Sequence, residues 1–372
     1  MDWVTTFAPS PMTTLTDVPC RYDLAESTSP PCRVGDLADP DELAALVLDY
    51  GTSRGDEQLR ALLAAGTQVE ADQVLVTVGA IEALFLLAQT VCGPGDHVLL
   101  ATPCFPPTRI VPASLGATID TVALSFAEGY RLPLDRFAAA LTPRTRLVSL
   151  ASPQNPSGVR FTDAELRAAV AVVTERAPGA VILVDETFRE STYGSAPVPA
   201  SVAGTSPRLV TCSSLSKALG AAGIRLGWLT TTDHELYEHL RAAKFHSTVA
   251  CSTVDEFLGV RALEKRAEIL APRAELLGTL LTELLDWTRD QPIEIVAPDG
   301  GAICCLRLPG TEFTDDAVTA FYARLAENET RVAHGAWFGD EQRVFRVGFG
   351  NLAPTEFSAA LDRLADALKR AH

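Results

Sequence analysis

From about residue 50 onward, short apolar runs alternate with stretches of helical period, and no feature restricts the fold of this chain more. Helical spacing marks "GDEQLRALLAAG", "AIEALFLLAQTV", "LDRFAAAL" and "DAELRAAVAVVTER". Strand-length runs lie around them: "QVLVTV", "HVLLAT", "TIDTVAL", "RLVSLAS", "AVILVDE", "RLVTCSS" and "RLGWLTT". Runs such as "VILVD" are apolar on both faces, as strands covered on both sides are. The expected fold class is α/β, with a mixed, mostly parallel sheet between helices. After "HELYEHLRAAKFH" the texture changes. Two long helical patterns, Val254 to Leu270 and Arg273 to Thr288, lead into short strands and two further helices, which reads as a small α+β domain. The expected division is an N-terminal arm counted with the small domain over 1–45, a large domain over 46–250, and an interdomain helix with the small C-terminal domain over 251–372.

Composition narrows the function classes. A net charge of −16 without any basic run argues against nucleic acid or an anionic membrane surface as a partner. The longest apolar stretches are too short to cross a bilayer. The opening "MDWVTTFAPSP" lacks a basic region followed by an apolar one, so no secretory signal is expected and the cytoplasm is the expected compartment. Eight cysteines show no Cys-x-x-Cys or Cys/His spacing, so no metal site is expected, and they read as reduced, mostly buried thiols.

Four short motifs carry polar chemistry. "VILVDETF" puts Asp185 at the end of a buried strand, where ligands of parallel α/β sheets bind; taken alone it reads as a strand-end cap. "SPQNPSGV" puts Asn155 in a turn after another strand, a residue that by itself simply makes the turn. "TVGAIEAL" places Gly79 between a strand and a helix, which suits either a phosphate at a helix start or a plain tight turn. It matches neither the P-loop nor the dinucleotide fingerprint. In "TCSSLSKALGAAGIRLGW", Lys217 stands among hydroxyls and glycines with Ser214 before it and Arg225 after it. A phosphorylated aldehyde cofactor needs that set: an amine to capture the aldehyde, and a hydroxyl and a cation for the phosphate.

With these motifs in order, the chain resembles the pyridoxal-phosphate (PLP) enzymes of fold type I in the class I/II aminotransferase family, from about residue 50 to the C-terminus. The resemblance implies a Schiff base on Lys217, which later shuttles the Cα proton of an amino acid through a quinonoid. It implies that Asp185 holds the ring nitrogen protonated, that Asn155 donates to the ring O3′ and that Phe105 stacks on the ring. Gly79, Ala80 and Ile81 would start the helix under the phosphate, with Ser214 and Arg225 completing that site. Tyr50 would reach the phosphate of a neighbouring subunit, which implies a homodimer with shared active sites. Arg346, in "FRVGFG", would clamp the substrate carboxylate. Amino acid metabolism, and biosynthesis within it, is the implied setting.

Two places depart from the family. Phe188 stands where a tyrosine usually follows the strand-end aspartate, so no phenol is available to O3′. Either amino transfer tolerates the change, or the chemistry is redirected to elimination, replacement, cyclisation or reaction with oxygen. Amino transfer is the main reading. In "YDLAESTSP", Glu26 and Ser27 fall near the substrate side chain, where a carboxylate could attract a basic group; the commoner role for such a Glu is a contact with solvent or with Arg21 or Arg33. A non-catalytic relative that only binds PLP is a third reading, opposed by the intact Lys217, Asp185, Asn155 and Arg225. His246 and His334 read as helix-end and turn residues, and Cys304 and Cys305 as strand neighbours facing opposite ways.

Overall fold

A computed structural model of the chain describes Phe7 and residues 9–371, with side chains as far as Lys369. Residues 1–6 and 8 of the opening read above for a secretory signal, and of the arm, lie outside the described residues. The strands in chain order are β1 (Tyr22–Asp23), β2 (Val74–Val78), β3 (His97–Thr102), β4 (Thr118–Ala123), β5 (Thr145–Ala151), β6 (Val181–Asp185), β7 (Leu209–Ser214) and β8 (Leu226–Thr230). Then follow β9 (Glu294–Val296), β10 (Ile303–Arg307), β11 (Thr330–Arg331), β12 (Ala333–His334) and β13 (Val344–Gly348).

Among the described residues the large sheet has seven strands in the order β2-β8-β7-β6-β5-β3-β4. β8 runs antiparallel to β2 and β7, and the remaining pairings are parallel. Successive residues of the inner strands pack into different cores. Leu99, Val148 and Ile182 join Phe137, Leu166 and Val173 of the helices Leu134–Ala140 and Asp163–Arg176. Their neighbours Leu100, Leu147 and Leu183 join Leu84 and Leu87 of the helix Gly79–Val91 and Leu240 of His234–Ser247. Both faces are thus covered, which is why the middles of these strands are apolar at successive positions.

Local signals fix the helix starts. Asp56 accepts from the Leu59 N–H at 2.8 Å, and Thr162 with Glu165 forms a reciprocal cap at the next long helix. Two elements differ from the sequence reading. The helix Pro107–Ser114 went unread, because Pro107 and Pro112 break the apolar period; the first proline needs no N–H at a helix start. The break placed between Leu270 and Arg273 falls instead at Lys265, between the helices Thr253–Glu264 and Arg266–Thr288. Pro272 stays inside the second helix, while the Lys265 side chain donates to the Asp36 carbonyl at 2.9 Å.

The second sheet, β12-β13-β10-β9, is antiparallel throughout. The helices Arg266–Thr288, Asp315–Glu327 and Pro354–Ala371 close a core over it, with Leu284, Phe321, Phe345, Phe357 and Leu364 fully buried. Cys304 packs into this core and Cys305 into the core of the large sheet, so the two adjacent thiols face opposite ways. All eight cysteines are free; four are buried and four half-buried. No helix of the described residues is long and apolar enough to cross a membrane.

The N-terminal arm divides between the two cores. Tyr22 and Leu24 pack with Phe345 and Phe357, whereas Leu37 and Ala38 pack with Leu59 of the helix Glu57–Ala64 and Leu226 of the large sheet. Between them the arm lies against β13: Gly348 donates its N–H to the Leu24 carbonyl at 2.6 Å, and a Cβ on Gly348 would run into the Glu26 carbonyl. Gly348→Ala is therefore expected to lift the arm and to destabilise the fold by about 2–3 kcal/mol. A thermal unfolding midpoint equal to that of the parent chain would count against this packing.

Candidate active site

The large sheet gathers its polar residues along one edge. β3, β5, β6 and β7 run the same way, and Phe105, Asn155, Asp185 and Lys217 lie at or just beyond their C-terminal ends. Phe105, Asn155 and Asp185 line one cavity, floored by Ala101, Ser149 and Ala151. Burial pushes the Asp185 carboxyl up, while the Thr187 N–H at 2.9 Å from Oδ1 and the Lys217 amine pull it back.

A cradle forms where the helix Gly79–Val91 begins. Its first N–H groups have no partners within the helix, and their partial positive charge faces the turn ahead of β8. Arg225 sits in that turn with φ +42° and stands over Gly79, so that a Cβ on Gly79 would meet its Nη2. The Arg225 Nη1 donates to the Ala222 carbonyl at 2.9 Å and to the Ser216 hydroxyl at 3.4 Å. Gly227 lets β8 pass against Gly79 and Ala80, where any side chain would strike their backbone. Ser214 is buried beside this cradle and accepts from the Ser216 N–H at 3.3 Å. Ile81 is exposed, one turn position further on.

Lys217 lies across from the arm. Its Nζ donates to the Ser27 hydroxyl at 2.8 Å and stands 3.7 Å from Glu26 Oε1, with about a quarter of the side chain exposed (25%). Desolvation holds the amine below the usual lysine range, opposed by Glu26 and reinforced by Arg346 and Arg225. Burial alone would raise the Glu26 carboxyl; Lys217, the Ser27 N–H at 2.6 Å and Arg346 outweigh it, and the group sits below the ordinary range. Arg346, on β13, is buried. Its Nη1 donates to Asn155 Oδ1 at 2.7 Å, its Nη2 to the Ala25 carbonyl at 2.6 Å, and its Nε has no partner in the structure. The Asn155 contact leaves that amide's NH₂ end as its donor.

Several residues read from the sequence stand elsewhere. Tyr50 is 85% exposed, next to the exposed Val47 and Leu48, and does not join the residues around Lys217. Glu26 meets Lys217, not Arg21 or Arg33: Arg21 lies over the Tyr22 ring and Arg33 is exposed. Phe188 is buried with its ring against the Gly301 turn. His246 is exposed at a helix end beside Phe245, and His334 is stacked between Tyr322 and Trp337. Ser216 and Gly227 were missed, although both lie inside the Lys217 motif; their hydroxyl and missing side chain were the available signals.

Pyridoxal phosphate fits these residues on three grounds. The Gly79 cradle, with its helix-start N–H groups and Arg225, is open to a phosphate. The burial-raised Asp185 carboxyl faces a cavity that has Phe105 for a wall. A desolvated amine, Lys217, stands at the same strand edge. The fold and this donor set define a pyridoxal-phosphate-dependent enzyme of fold type I, with a mostly parallel mixed sheet flanked by helices. The chain belongs to the aminotransferase class I and II family, which it matches over residues 22–364. It is 30% identical over 317 residues to the arginine–pyruvate transaminase of Pseudomonas aeruginosa, covering 80% of this chain and 77% of that protein. It is 30% identical over 312 residues to the capreomycidine synthase of Streptomyces vinaceus, covering 83% and 78%. Two solved structures share the fold: Thermus thermophilus aspartate aminotransferase with maleate (TM-score 0.87, 22% identity, 99% and 100% covered) and the PLP-dependent cyclase OrfR (0.86, 24%, 98% and 98%). Gly79→Ala should displace Arg225 from the helix start and weaken retention of pyridoxal phosphate about tenfold, the worth of one charge-assisted hydrogen bond. Equilibrium dialysis of the cofactor measures this, and an unchanged Kd would remove Gly79 from the cradle.

Proposed function

We propose that the protein transfers the amino group of an α-amino acid, with Lys217 as the amine that bonds the cofactor and then moves the Cα proton. The observation that carries this reading is the meeting of Lys217 in the turn after β7, Asp185 at the end of β6 and Arg346 on β13 of the second sheet. When bound, pyridoxal phosphate supplies an aldehyde and a conjugated ring that accepts the electron pair left on Cα. Desolvation keeps more of the Lys217 amine unprotonated, and so available as a nucleophile, near neutral pH. Asp185, buried at the end of β6, favours a cation opposite it and so holds a proton on the ring nitrogen. Asn155 accepts from Arg346 through its Oδ1, and its NH₂ end would donate to the ring oxygen. Arg346, with an unpartnered Nε and a planar fork, is the group for the substrate carboxylate. Ala80, Ile81, Ser214 and Arg225 would hold the phosphate with Gly79, and Phe105, a wall of the cavity beside Asp185, would pack against the ring.

The same reading has the chain work as a homodimer. Val47, Leu48 and Tyr50 form an exposed apolar stretch, which supports a partner surface there, and Tyr50 would reach the partner's phosphate site. Free thiols support a cytoplasmic setting. The domain boundaries proposed are 1–45, 46–250 and 251–372. A basic side chain is the first substrate to try: Glu26 and Ser27 present a carboxylate and a hydroxyl to the site, and an arginine transaminase is among the relatives.

Phe188 favours a second reading. No phenol is offered at its buried position, and a capreomycidine synthase and a cyclase are among the similar proteins, which supports elimination or ring closure in a biosynthetic step. An absorbance screen of the holoenzyme against single amino acids, with products analysed by mass, separates the two. A 2-oxo acid without free ammonia establishes amino transfer; ammonia, a ring product or oxygen uptake establishes the second reading. Lys217→Ala is expected to lower kcat at least about 100-fold in either case. Full turnover by that variant would remove Lys217 from the chemistry.

A further inference from the structure

The nearest polar partners of the Lys217 amine come from a segment 190 residues away in sequence. The Ser27 hydroxyl accepts from Nζ at 2.8 Å, and Glu26 Oε1 lies 3.7 Å from the same nitrogen. The carboxylate is oriented by the Ser27 N–H at 2.6 Å, so it cannot swing away without losing that bond. The backbone is held as well. Ser29 donates its N–H to the Lys217 carbonyl at 3.1 Å, Ala25 accepts from Arg346, and the Glu26 carbonyl is pressed onto Gly348. Ser27 is buried. These contacts hold the Glu26–Ser27 pair beside the Lys217 amine.

We propose that Glu26 and Ser27 are positioning residues for Lys217, holding its nitrogen in place and favouring its charged form. The charged groups around that nitrogen are Glu26 from the arm, Arg346 from β13, Arg225 from the turn before β8 and Asp185 from β6. Two cations and desolvation discourage a positive nitrogen, and Glu26 is the first counterweight in reach. When Lys217 takes a proton from a substrate Cα, the C–H bond breaks, its electron pair stays with the substrate carbon, and a new N–H bond forms on Nζ. The ammonium so made is then bonded to Ser27 and paired with Glu26. The arm thereby strengthens Lys217 as a base and keeps the proton on it. This inference rests on the reading of Lys217 as the amine that bonds the cofactor.

The test is a pH titration of the visible absorbance of the holoenzyme, which follows protonation of the Lys217 nitrogen without turnover. Glu26→Gln removes one negative charge near Nζ and should lower the midpoint by about one unit, or about tenfold in proton affinity. Ser27→Ala should lower it less, and Glu26→Asp, which keeps the charge, should restore most of the loss. A midpoint unmoved in Glu26→Gln overturns the inference. Should that variant fail to hold the cofactor, Ser27→Ala decides: a lowered midpoint is expected, and an unmoved one overturns the inference. Borohydride reduction and peptide mass in the same preparations locate the bonded lysine. Label away from Lys217 overturns the proposed function and this inference together; label on Lys217 with an unmoved midpoint overturns the inference alone.

Discussion

The large sheet imposes a common exit. β3, β5, β6 and β7 are paired in parallel, so the chain must leave each of them at the same edge. Beyond that edge the strand ladder no longer satisfies the backbone, and polar side chains and turns take over. Residues far apart in sequence, Phe105, Asn155, Asp185 and Lys217, are brought together for that reason alone. The antiparallel β8 adds to the arrangement by entering from the same edge, which sets Arg225 against the start of the helix Gly79–Val91.

Gathering charge at one edge has consequences for each group. Lys217, Arg225 and Arg346 share the site with Asp185 and Glu26, and a buried cation without partners would be strongly unfavourable. Arg346 donates to an amide oxygen and a backbone carbonyl instead of a carboxylate, and its Nε stays unpartnered, so its charge is solvated in part without being neutralised. Such a centre attracts anions. A phosphate and an amino acid's carboxylate are both of that kind, and the two arginines lie on different elements, one in the turn before β8 and one on β13.

Sequence pattern was most informative where it reflected covered strands. Runs such as Val181–Asp185 pack on both faces, and burial of the three middle side chains leaves the apolar run that ends at Asp185. The helix Pro107–Ser114 carries no such signature, since its two prolines displace the apolar residues from their period. Pro272 misled in the opposite direction: a residue that usually marks a helix end lies within a 23-residue helix. At the site, Lys217 stood out through its own motif, whereas the roles expected of Asp185 and Arg346 came with the family resemblance. The arm's part in it was not legible in the same way, because its holds on Arg346 and on Arg273 run through the carbonyls of Ala25 and Pro30. Every residue type owns a carbonyl, so no choice of amino acid records such contacts.

The arm is also a mechanical element. Near Leu24 it is bonded to β13 of the smaller sheet, and at Ser29 and Cys32 it is bonded to the Lys217–Gly220 turn of the larger one. A few residues of extended chain, about 3.4 Å each, are all the slack between those fixed points. Any rotation that carried β13 away from the lysine turn would draw this strap taut, and its backbone hydrogen bonds would be first to bear the load. The travel of the two sheets relative to one another is therefore limited by tether length, and lengthening or shortening the chain between Leu24 and Ser29 would reset that limit without altering a single side chain at the sheet edge.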